Sequence, residues 1–150
     1  MEVSNKRTTV KEAYMRSGES GTALIEFAIV LPFLITILFG TIEFGLLMFN
    51  KQVLTNASRE GARYGIVARD PRHSEAEIAA VVEKYCAGQL ITFGTENEPV
   101  TKTDADSSAT FGQDLAVTAT YDYDFLLIPG FVPGLPDTVT LSAQTSMRYE

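Results

Sequence analysis

Few residues in this chain are of a type and in a place to do chemistry. The first is Glu26, which interrupts the one strongly apolar run, Gly21–Phe49, GTALIEFAIVLPFLITILFGTIEFGLLMF. A carboxylate inside a membrane helix costs on the order of 3 kcal/mol, so it usually has a partner or a task. Gly21 stands five residues before it. A second group is Arg59, Glu60 and Arg63, with Arg59 and Arg63 one helical turn apart and Glu60 three residues from Arg63. His73 is the only histidine and Cys86 the only cysteine. With no C-x-x-C and no Cys/His cluster, a zinc site is excluded, and no intramolecular disulfide can form. Cys86 reads as a buried structural thiol, with pairing between chains as the other reading. His73 reads as a solvated turn histidine. Asp104/Asp106 and Asp122/Asp124 are paired carboxylates that read as solubilising charge. No phosphate loop and no nucleophile elbow occurs. These absences point away from an enzyme, and no cofactor or metal is expected.

The elements that position these residues follow from periodicity. The 16 residues Phe27–Ile42 carry no charge. A bilayer core roughly 30 Å thick needs about 20 mostly apolar residues, so residues 22–48 are expected to span it as one helix. That length exceeds a secretory signal's apolar core, and no small-x-small cleavage site follows promptly. From 49 to 69 the pattern becomes amphipathic. Leu46, Phe49, Val53, Ala57, Tyr64 and Val67/Ala68 recur at helical steps, with Gln52, Asn56, Arg59 and Arg63 on other faces. Gly61 costs about 1 kcal/mol against alanine in a helix, which points to close approach of a neighbour. Residues 1–21 carry mixed charge without periodicity and read as an unfolded leader.

Beyond Arg69-Asp70-Pro71-Arg72-His73, which breaks the helix, Ser74…Glu77 is a capping box. A second helix is expected to about Cys86, with Ile78, Val81/Val82 and Tyr85 on its core face. Asp114–Phe125 and Thr138–Tyr149 alternate at period two, which predicts an antiparallel pair with one face buried. Pro99–Thr103 is a weaker third strand. The fold class expected is therefore α+β: a long N-terminal transmembrane helix with an amphipathic extension, a short second helix, and a small antiparallel sheet of two to three strands. Residues 74–150 form the α+β domain. The connection Leu126–Pro136, LLIPGFVPGLP, is unusually apolar; Phe131, Val132 and Leu135 are candidate contacts for a partner or the membrane, unless they fold over the core.

Charge bounds the partners. The formal net charge is −7, and residues 73–150 hold three basic against twelve acidic side chains. Such a domain is unsuited to nucleic acid or to lying flat on anionic lipid. Lys6, Arg7, Lys11 and Arg16 precede the apolar run, and Lys51, Arg59, Arg63, Arg69 and Arg72 follow it. By the positive-inside rule this count leans slightly toward a cytoplasmic C-terminus.

Two motifs carry a resemblance. Gly21-Thr22-Ala23-Leu24-Ile25-Glu26-Phe27 resembles the processing site of type IV prepilin-like proteins. Gly18 lacks the glutamate at the required distance, and Thr22 looks more like the tight-adherence branch than the phenylalanine of common pilins. Asn56-Ala57-Ser58-Arg59-Glu60-Gly61-Ala62-Arg63 closely resembles the N-A-A/S-R-E-G-A-R signature of TadE-like pilus-assembly proteins, and Glu43-Phe44-Gly45 adds to it. The resemblance covers Gly21 to about Val67. It implies a minor pseudopilin of a tight-adherence (Tad/Flp) type IVb pilus, cut between Gly21 and Thr22 by a prepilin peptidase. Glu26 and Phe27 would then serve processing and assembly. Asn56, Arg59, Glu60, Gly61 and Arg63 would dock another subunit or the assembly platform. The implied partners are the peptidase, other Tad pilins and pseudopilins, the inner-membrane platform and the lipid bilayer. The implied location is the bacterial inner membrane, with residues 1–21 cytoplasmic and the C-terminal domain extracytoplasmic. The rival reading is a bitopic anchor whose acidic domain binds a ligand or another protein.

Overall fold

The computed structural model describes residues 3–92, 98–105, 110–125, 134 and 136–149, with residues 3–20 as backbone. The order of elements is α1 (Val3–Gly65), α2 (Glu75–Cys86), β1 (Val100–Thr103), β2 (Asp114–Asp124) and β3 (Thr138–Arg148). This is the α+β architecture expected. The chain divides into two compact units, Met1–Gly40 and Thr41–Glu150.

The first unit is helix. From Gly21 to Gly40 its side chains are exposed or half-buried all round, Leu24, Phe33 and Ile37 among the most open. A helix apolar on every face belongs in lipid or in a large core. Among the described residues it is the one helix long and apolar enough to cross a membrane. It runs through Pro32 without a break, and Thr36 Oγ1 donates to the Pro32 carbonyl at 2.8 Å. The leader differs from the sequence reading: the helix begins at Val3, not after residue 21. No proline stands before Pro32 to stop it, so helix already nucleated by the apolar run propagates backward at little cost.

The second unit is a three-stranded antiparallel sheet, order β1-β2-β3, covered on one face by α2 and the end of α1. The strand alternation holds as predicted. Leu115 faces Met147, Ala119 faces Ala143, Tyr121 faces Leu141 and Tyr123 faces Val139. The odd-numbered residues of β2 from Leu115 to Tyr123 are buried, while Asp122 is on the wet face. There Thr140 Oγ1 donates to Asp122 and Thr138 Oγ1 to Asp124. The weak third strand is real: Val100 pairs with Thr120 and Thr103 with Val117.

Helix α2 begins with the expected capping box, Ser74 and Glu77 each accepting from the other's backbone N–H. Its buried residues are Ile78, Val82 and Cys86; Val81 and Tyr85 are only half-buried. The buried stripe of α1 is shifted from the one read in the sequence. It runs Glu43, Asn50, Val53, Leu54, Ala57, Ser58, Gly61, Ala62 and Gly65, and Phe49 and Val67 lie off it, exposed. The helix also stops at Gly65, four residues short of the expected 69.

Three polar residues in that stripe are explained by what they meet. Asn50 Nδ2 donates to the Ile91 carbonyl at 2.6 Å, and Ile91 N donates to Asn50 Oδ1 at 2.9 Å. The amide thus replaces a stretch of backbone pairing and ties the segment after α2 onto α1. Ser58 Oγ and Thr145 Oγ1 share a hydrogen bond of 2.8 Å, joining α1 to β3. Glu43 is buried near Tyr123.

Candidate functional site: the exposed faces of the first helix

Gly21, Thr22, Glu26 and Phe27 lie on the helix of the first unit, and all four are exposed. A Cβ built on Gly21 would meet nothing within 4 Å. Thr22 and Glu26 are four residues apart, so they occupy one face, one turn from each other. A carboxylate and an amine liberated at Thr22 would therefore be neighbours on that face.

The Arg-Glu-Gly-Ala-Arg run divides in two. Arg59 and Arg63 are exposed on the outer side of α1. Arg63 donates to Glu60 through both Nη2, at 2.8 Å, and Nε, at 3.2 Å. This is the three-residue pair expected, and it is well exposed on the arginine side. Arg59 forms no ion pair among the described residues. Asn56 is half-buried and accepts from Gln52 Nε2 at 3.3 Å.

Gly61 belongs to the other side. It is buried, and a Cβ there would stand 2.6 Å from Val82 Cγ2. On Gly65 a Cβ would stand 2.5 Å from Leu115 Cδ2 and 2.7 Å from Ile78 Cδ1. The neighbour for which Gly61 makes room is this chain's own second helix, so Gly61 leaves the set of docking residues. Sequence spacing registers the small residue but not which helix approaches it.

His73 is likewise not the solvated residue expected, since only 7% of it is exposed. The turn after α1 folds back and lays its ring on Tyr64, centroids 4.0 Å apart. Nδ1 faces Arg69 Nη1 at 3.2 Å and Glu77 Oε2 at 3.8 Å. Arg69 also donates to Glu77 at 3.0 Å. Hydrogen bonds from Ser74 N–H, then from Arg69 and the Ser74 hydroxyl, pull the Glu77 carboxyl down to about 2. Nearby, the Arg72 guanidinium lies 4.8 Å over the Tyr149 ring. The cluster fastens the turn; its groups are occupied with one another.

Cys86 is buried, as expected, and burial pushes its thiol up to about 11, which keeps it from acting as a nucleophile at neutral pH. It floors a cavity of about 550 Å³ beside Tyr121, with Glu83 and Glu98 among the lining. Among the described residues no three His, Cys, Asp or Glu side chains are grouped to hold a metal. The loop residues Phe131, Val132 and Leu135 lie outside the described residues.

Asn50, Ser58 and Gly65 were missed in the sequence. For Ser58 the signal was present: it lies inside the eight-residue motif and on the i+4 row from Leu54. Asn50 gave none, because a polar residue in an amphipathic helix is assigned to water by default.

Searches of curated proteins and of solved structures find no match. Residues 21–63 match the model of the family described as TadE-like protein. The match begins at the glycine before the apolar run and ends at Arg63, so the similarity to that family is confined to this stretch.

Proposed function

We propose that the chain is a minor pseudopilin that takes part in assembling a tight-adherence pilus. The observation that carries this reading is the coincidence of three features on α1. The TadE-like match, the apolar span and the Gly21–Glu26 pair all occupy one helix. A prepilin peptidase removes residues 1–21, and the released amine on Thr22 lies one turn from Glu26. A carboxylate at the edge of hydrocarbon is costly alone and much cheaper beside a cation. The amine of the same chain or of a neighbour meets this need, and in the second case it sets the stagger between subunits. Arg59, with Arg63 and Glu60, forms the docking patch beyond the membrane. The protein works by assembly, not by catalysis. It resides in the inner membrane with its C-terminal unit outside the cytoplasm.

The test is the intact mass and the amino-terminal sequence of membrane-extracted protein. Thr-Ala-Leu-Ile-Glu is the expected start. A chain that keeps residues 1–21 is instead a bitopic anchor, and the pseudopilin reading fails. Gly21→Asp should abolish processing.

A further inference from the structure

Helix α1 is inverted where it enters the folded unit. Between Ile42 and Asn50 the two polar side chains, Glu43 and Asn50, point inward. Glu43 is 3% exposed and Asn50 fully buried. Leu46 and Leu47 pack partly against the core, but the largest apolar side chains point outward: Ile42, Phe44, Met48 and Phe49 are all between 44% and 62% exposed. A helix lying on a protein in water does the opposite, burying its phenylalanines and leaving its carboxylate wet. Contiguous exposed apolar surface of this kind marks contact with a partner or with lipid.

We propose that this outward face, Ile42 to Phe49, is a lipid-facing surface. The end of the folded unit that holds Glu43 and Tyr123 is therefore seated in the membrane interface. This rests on the reading that α1 spans the bilayer.

Three observations commit the face to lipid. It continues, along the same helix, the exposed apolar side chains Ile37, Leu38 and Phe39. It ends sharply: the next outward residues are Gln52, Arg59 and Arg63. From Phe44 to Gln52 is about 12 Å of helix rise, a depth that fits the boundary between acyl chains and headgroups. It is also built of bulky side chains, with Gly45 the exception, whereas helices that pack on helices in membranes favour small ones. Burial of Glu43 follows from the same cause. A carboxylate on the outer side would face hydrocarbon, so it is turned inward beside Tyr123.

The chain has no tryptophan, so single substitutions report depth without background. Leu34→Trp, Phe44→Trp, Phe49→Trp and Arg59→Trp would each be made in the full chain. Each is reconstituted at low protein density in phosphatidylcholine vesicles with brominated acyl chains, and iodide is added to the buffer in a parallel series. Leu34→Trp, Phe44→Trp and Phe49→Trp should lose emission to bromolipid and resist iodide. Arg59→Trp should do the reverse. Phe49→Trp and Phe44→Trp quenched by iodide would overturn the proposal. So would shielding from both quenchers, which means that protein covers the face. If Leu34→Trp also escapes bromolipid, the spanning reading itself has failed, which separates the two. Met48→Trp is the substitute should either phenylalanine variant fail to fold.

Discussion

A methyl group placed on Gly61 would stand 2.6 Å from Val82 Cγ2, closer than side-chain carbons approach. Valine is stiff about χ1 in a helix and cannot swing away. The contact between α1 and α2 therefore depends on the absence of a side chain at one position of the family-matched stretch.

Gly61→Ala should destabilise the folded unit although alanine is the better helix former. The propensity gain is about 1 kcal/mol, and overpacking costs about 1–3 kcal/mol. The net loss should appear as a lower melting temperature of the full chain in detergent. Val82→Ala added to Gly61→Ala should cost less than the two changes summed, because each relieves the other. Additive losses would mean that α2 can move away freely.

Arg59→Glu with Arg63→Glu should abolish piliation while insertion and processing stay intact. Both guanidinium groups are exposed, and a solvent-screened pair such as Arg63–Glu60 contributes little, so folding should barely change. Wild-type pili in the double variant, counted by electron microscopy, would leave these residues as a solvated face.

Glu26→Gln is nearly isosteric and neutral. It should still insert, yet fail to co-purify with partner pseudopilins from solubilised membranes after crosslinking. On the proposed reading its counterpart is the amine that processing frees on Thr22, so the defect should be far larger in processed than in unprocessed chains. Equal recovery of partners in wild type and variant would return Glu26 to a tolerated charge.

Glu77 links stability to acid. Its folded carboxyl sits at about 2, below the ordinary 4.5, because Ser74 and Arg69 hydrogen-bond the charged form. A depressed carboxylate contributes stability above its unfolded value and loses it as pH falls through the folded value. Wild type should therefore weaken from about pH 4.5 toward 2, and Glu77→Gln should lose part of that slope. The group is solvent-exposed, so the effect is small and shrinks in salt. Melting temperature against pH, at low and high salt, measures it. A slope identical in both chains would mean that the capping contacts are equally strong to the neutral acid.

Much of this protein was legible because local rules act over a few residues. Strand alternation placed Leu115–Tyr123 and Leu141–Ala143 on one buried face, since a period of two leaves no other arrangement. Ser74 and Glu77 announced α2 by a reciprocal hydrogen bond that needs only three residues of spacing. The apolar run Phe27–Ile42 marked the one candidate span among the described residues by length alone. The stretch from Gly21 to Arg63 that matches the TadE-like model was likewise legible, because motif spacing is itself a sequence property.

Tertiary structure decided which neighbour each face meets. Helical periodicity shows that a stripe exists, but not that Asn50 in it would find the Ile91 backbone, 41 residues away. It put Phe49 in the core because apolar residues are ordinarily buried. The rule inverts where the medium outside the helix is itself apolar, and Glu43 and Phe44 show the inversion in adjacent residues. His73 followed the same logic: the turn returns it onto Tyr64, a contact set by chain reversal and invisible to any period. The sequence by itself determined the elements and their buried faces to within a few positions. Only the folded chain determined that Gly61 makes room for its own second helix and that Arg59 stays exposed on the outer side.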